Sequence, residues 1–161
     1  MGHQISIGEA EIDYDGEAGY VAIHAASAED IHAPSVGFGY KNIINIHQDT
    51  MHIWCELTGL VEVFYNQPLN YHPYNDYKGG APGVIAINES MHSYLDGALN
   101  RWNSTNGKDV AHKLDDVFTR YNKDIFNPYV LREEFRSRLE WFEFWTRWAL
   151  DNCDHPVMVT R

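Results

Sequence analysis

Asp49, His52 and Glu56 stand three and four residues apart. On a helix that spacing brings two carboxylates and an imidazole within about 60° of one another, at 100° per residue. Such a group could bind a metal or share a proton in hydrolysis. The residues around it offer a second account. Ile43, Ile46, Ile53 and Leu57 make one apolar stripe, which His47, Met51 and Trp54 widen. Asn45, Gln48, Asp49, His52 and Glu56 then form the polar arc that an amphipathic helix needs. His47 and His52 are five apart, whereas the HExxH zinc helix needs four. A solvated arc is therefore expected, with no metal and no cofactor. A metal-assisted hydrolase using Asp49, His52 and Glu56 is the enzymatic alternative. Cys55, with no recognisable Cys–His motif, reads as a small buried hydrophobe.

A different chemistry is written near the N-terminus. Glu9, Glu11, Asp13, Asp15 and Glu17 occupy every second position, with Ala10, Ile12 and Tyr14 between the first four. On a β-strand this alternation puts the carboxylates on one face, roughly 6.6 Å apart, like a string of phosphates. The same pattern suits a half-exposed strand of any acidic protein. Asp13-Tyr14-Asp15-Gly16-Glu17 resembles part of a calcium loop but lacks the third ligand before its glycine and the closing Glu. No GxGxxG, Walker A, GxSxG or CxxC pattern occurs.

The net charge of −11 is unevenly spread. Residues 1–40 hold seven acids and no Lys or Arg, residues 41–100 six acids and two bases, and residues 101–161 ten of each. All the excess thus lies in the first hundred residues. A field of that sign repels nucleic acid and anionic membrane and attracts basic surfaces; solubility alone also favours it.

Two aromatic segments are candidate contact surfaces. Tyr71, Tyr74 and Tyr77 recur at three-residue intervals among Asn70, His72 and Asn75 in the 66–83 stretch, which has no regular periodicity. Binding loops use this mixture of rigid tyrosine and adaptable asparagine; equally, the tyrosines could cover the domain's own core. Towards the C-terminus Leu131, Phe135, Leu139, Phe142, Trp145 and Ala149 form an i, i+3/i+4 stripe. Trp141, Phe144 and Trp148 widen it to roughly 240°. Either this is a central core helix, or Trp141, Phe144 and Trp148 meet another chain.

The elements that must carry these residues read as an α+β chain. Strands over 4–14 and 18–26 join across Asp15-Gly16 as an N-terminal β-hairpin. A helix follows near 42–58, stopped by Gly59, then short strands at 60–65 and 84–87. Asn88 or Ser90 caps the first of three C-terminal helices, near 89–102, 108–125 and 129–151. At 161 residues, 44% apolar, the chain fits a single domain over 1–161. Cys55 and Cys153 are too few for a disulfide framework, no run resembles a signal or a membrane span, and a cytoplasmic protein is expected. The function expected first is an acidic binding protein that occupies a basic surface of a protein partner, as an inhibitor mimicking nucleic acid would. Its binding residues would be Glu9, Glu11, Asp13, Asp15 and Glu17 with Tyr71, Tyr74 and Tyr77. A structural subunit of a larger assembly, including a homo-oligomer, is the alternative; direct contact with nucleic acid or membrane is not expected.

Overall fold

The N-terminal strand β1 (Gly2–Glu9) lies at the centre of a sheet whose other members come from much later in the chain. The computed structural model describes residues 2–10, 33–34, 39–65, 84–120 and 128–160. The other strands within them are β2 (Gly39–Tyr40), β3 (Ile43–His47), β4 (Val84–Ala86) and β5 (Pro156–Thr160). Their spatial order is β2-β3-β1-β5-β4, antiparallel throughout. Five helices among the described residues complete the α+β fold: α1 (Gln48–Thr58), the single turn α2 (Val61–Phe64), α3 (Glu89–Thr105), α4 (Lys108–Arg120) and α5 (Pro128–Asn152). None of the described helices is long and apolar enough to cross a membrane.

Strand period decides which face meets the helices. Ile5 pairs with Ile44 and Ile7 with Met158; these four and Ile46 are buried in the main core, while Asn45 is exposed. Asn42, in the turn between β2 and β3, fastens that turn to β1. Its side-chain amide donates to the Ile7 carbonyl at 2.8 Å, and its own carbonyl accepts from the Ile7 N–H at 3.0 Å. Residues 18–26 and the Asp15-Gly16 turn lie outside the described residues; along Gly2–Glu9 the neighbours of β1 are β3 and β5.

Two expectations about local structure change, and one strand has no counterpart in the sequence reading. Residues 43–47, expected as the start of a helix, form β3, because Ile44 and Ile46 alternate into the core opposite β1. Residues 60–65, expected as a strand, contain α2 instead. Gly59, at φ +75°, reverses the chain after α1, and the Leu60 N–H bonds back to the Cys55 carbonyl at 2.9 Å. This is the Schellman closure, and it drops Leu60 and Val63 into the core. Finally, Pro156–Thr160 is a strand that was not foreseen; Val157, Met158 and Val159 are buried in succession, so no alternation advertises it.

Helix α3 starts where Asn88 accepts from the Met91 N–H at 2.8 Å, which settles the cap between the two candidates. Helix α5 is the axis of the core. Phe135, Leu139, Trp141, Phe142, Trp145 and Ala149 are all 0% exposed; the Leu131 side chain lies outside the described ones. Trp54 of α1 stacks on Phe142 at 5.3 Å and donates its indole N–H to the Phe135 carbonyl at 3.1 Å. Trp141 sits edge-on to Phe142 at 4.9 Å and donates to the Lys41 carbonyl at 2.7 Å.

Trp141 is thus enclosed by its own chain, whereas Phe144 and Trp148 are half-buried against the core. Chemical denaturation should separate the two positions. Trp141→Ala is expected to cost about 3–5 kcal/mol, the range for emptying a buried aromatic site. Trp148→Ala should cost less than half of that. Equal losses would contradict the enclosure of Trp141.

Candidate functional site

The acidic strand enters the structure at Glu9, the last residue of β1. Its carboxylate accepts from the His155 backbone N–H at 2.9 and 3.1 Å and faces His155 Nδ1 at 3.3 Å. The Ala10 N–H bonds to the His155 carbonyl at 3.0 Å. Glu9 therefore clasps the turn between α5 and β5, and its charge is partly used there. Glu11, Asp13, Asp15 and Glu17 lie outside the described residues, as do Tyr71, Tyr74 and Tyr77.

Cys153 shares this corner. Burial, the Glu9 charge and a hydrogen bond to Glu9 push its thiol up to about 11, with Asp154 adding to the effect. Burial alone outweighs the nearby Arg138 charge at Cys55 and pushes that thiol up to about 12. A thiol is nucleophilic as the thiolate, so both cysteines are held in the unreactive form at neutral pH. Cys55, at 0% exposure, is the buried hydrophobe its sequence context implied.

The group of Asp49, His52 and Glu56 is brought together only in part. His52 and Glu56 are exposed on α1, with Nδ1 and Oε1 3.4 Å apart, and the His52 ring leans on Tyr65 at 5.3 Å. An exposed pair of this kind contributes little to stability. The Asp49 side chain lies outside the described ones. Among the described residues no three His, Cys, Asp or Glu side chains are placed to hold a metal ion.

Two polar constellations escaped the sequence reading because each spans helices far apart in the chain. Arg138, one residue before Leu139 in the core row of α5, is only 2% exposed. Its guanidinium donates to the Thr50 carbonyl at 3.3 Å, to the Thr50 hydroxyl at 3.4 Å and to Glu134 at 3.4 Å. It also lies over the rings of Phe135 and Trp54, 5.2 and 5.6 Å from their centroids. Burial pulls its pKa down to about 10, opposed by the Glu134 charge, so it stays a cation at neutral pH. It is a strut between α1 and α5.

The second constellation joins α3 to α5. His92 Nδ1 lies 3.1 Å from Thr146 Oγ1, and His92 Nε2 lies 3.6 Å from Glu143 Oε1. A hydroxyl, an imidazole and a carboxylate in sequence are the parts of a nucleophilic triad. The geometry assigns them another task. The Thr146 hydroxyl already donates to the Phe142 carbonyl at 2.7 Å, and Thr146 is 0% exposed. Its oxygen therefore accepts from His92 Nδ1, and no substrate carbonyl can reach it. Beside this seam Glu89 takes Arg147 in a two-point pair at 2.9 and 3.1 Å, and Asp151 adds a third carboxylate contact at 3.2 Å. The Arg147 hydrogen bond lowers the Glu89 pKa.

Compared with protein-family models, curated proteins and solved structures, the chain matches none.

Alkylation tests the state of the thiols. In native protein near neutral pH, iodoacetamide should label neither cysteine at the rate of a free thiol, and both should react once the chain is unfolded. Glu9→Gln removes one cause of the raised Cys153 pKa and should quicken labelling of Cys153 only. Rapid native labelling of Cys55 would contradict its burial.

Proposed function

We propose that the protein is an acidic binding protein that occupies a basic surface of a partner protein, acting as an inhibitor that presents carboxylates where the partner would meet nucleic-acid phosphates. The observation that carries this reading is the confinement of the whole −11 excess to the first hundred residues. Ordinary solubility asks for net charge but not for this segregation. The acids described between residues 50 and 100, Glu56, Glu62, Glu89 and Asp96, are all exposed. Glu9 supports the reading in a different way: it anchors the start of the alternating acidic run to the sheet through His155.

In this reading Glu11, Asp13, Asp15 and Glu17 meet Lys and Arg of the partner, and Tyr71, Tyr74 and Tyr77 supply apolar contact beside them. Charge pairing of this kind governs the association rate and weakens with salt. A second reading, a subunit of a larger assembly, draws on the half-buried Phe144 and Trp148 and on Tyr94, which is 55% exposed.

The test exchanges four carboxylates for amides, Glu11→Gln, Asp13→Asn, Asp15→Asn and Glu17→Gln, and leaves Glu9 to its structural work. Immobilised wild-type protein should retain basic nucleic-acid-binding proteins from host lysate, released by salt, and the variant should associate with them at least about tenfold more slowly. Equal association by the two forms would overturn the role of the acidic run. Retention of further copies of this chain, insensitive to salt, would favour the assembly reading.

A further inference from the structure

Helices α1, α3 and α4 do not close completely where they meet. They leave a notch with a volume of about 90 Å³. Its floor is apolar: Leu57 from α1, Ala98 and Trp102 from α3, and Val110 from α4. These four are 4–6% exposed, whereas Phe135, Leu139, Phe142 and Trp145 of α5 are at 0%.

Polar bookkeeping at the rim selects what could enter. The Thr58 hydroxyl donates to the Trp54 carbonyl at 2.6 Å and that of Thr105 to the Arg101 carbonyl at 3.2 Å, so both protons are engaged within their own helices. Arg101 reaches from α3 to the last carbonyl of α1, donating from Nη2 to Thr58 at 3.2 Å. That bond engages Nη2, and Arg101 lines the notch. Lys113 and Asp109 of α4 also line the notch. The rim thus carries one positive charge in excess, on a chain whose net charge is −11. All these residues project from helices, the rigid support a binding site requires.

At about 90 Å³ the notch admits several water-sized groups, room for a short branched alkyl group. An apolar floor with a few charged rim residues shares the lining pattern of a small-molecule site, on a smaller scale. We propose that this notch binds a short branched-chain monocarboxylate. The alkyl branch rests on Leu57, Ala98, Trp102 and Val110, and the carboxylate lies between Arg101 and Lys113. Asp109 on the same rim disfavours a second negative charge on the ligand. This assignment uses no residue of the acidic run and stands apart from the partner-binding role.

Isovalerate is the probe, titrated into the full-length ¹⁵N-labelled chain while the indole N–H of Trp102 is followed by NMR. A saturable shift is expected, with a dissociation constant on the order of millimolar, as befits so few ligand atoms. Isovaleramide, without the charge, should bind more weakly, and isoamylamine, with the opposite charge, should give no saturable shift. Lys113 is exposed, so Lys113→Gln leaves the fold intact and should weaken isovalerate roughly three- to fivefold, the yield of one solvent-exposed charge pair. Ala98→Leu fills the floor and should abolish the shift; if that variant fails to fold, the ligand series and Lys113→Gln still decide. Absence of a saturable shift, equal binding of isoamylamine, or an unchanged affinity in Lys113→Gln would each overturn the proposal.

Discussion

Enclosing the apolar circumference of α5 is the constraint to which the other described elements answer. A helix with Phe135, Leu139, Phe142 and Trp145 on one row and Trp141 and Arg138 beside it cannot rest on a single partner. The sheet covers it with Ile5, Ile7, Ile44, Ile46 and Met158, and α1 closes over it through Trp54. Helix α3 is joined to it through His92 and Thr146. The topology follows from that demand. After α5 the chain returns at once as β5, and to lie under the helix it must pair with β1, from the opposite end of the sequence. Glu9 holds the three-residue turn that makes the return possible.

Apolar burial supplies the driving force but does not by itself choose one arrangement of aromatic rings. The polar groups inside the core do the choosing. Asn42 ties the β2–β3 turn to Ile7, Arg138 ties α5 to Thr50, and Thr146 ties α5 to His92. Each has a partner at a set distance, and a slip of one residue along α5 would leave a buried donor or charge without one, which is costly. Of the tryptophans, Trp54, Trp141 and Trp145 are fully buried. Among the described residues most of the large apolar side chains are committed to the interior, and the placement of charge in the first hundred residues supports the binding role proposed above.

What could be read from the sequence tracks the range of the interactions involved. Helices α3, α4 and α5 have long, periodic segments, and their positions were legible from residues such as Asn88 and the Phe135–Trp145 row. The stretch 43–47 misled because Ile43 and Ile46 fit a helical stripe while Ile44 and Ile46 fit a strand, and only pairing with β1 decides between them. Leu60–Tyr65 was too short for its period to speak, and the glycine-closed turn before it favoured helix. At β5, burial on both faces erased the alternation that marks a strand. The candidate site was legible only as charge. That Glu9 answers to His155, 146 residues away, that Arg138 lies inside, and that Arg101 and Lys113 share a notch are facts of tertiary proximity with no local signature.

Native-state hydrogen exchange tests the enclosure of α5 most directly, measured over a range of protein concentrations. If the chain itself provides the cover, amides between Phe135 and Ala149 and those of β1 and β5 should be the slowest to exchange, at a rate independent of concentration. Protection of α5 that grows with concentration, or that falls well below the protection of β1, would contradict this account and place its cover on a second chain.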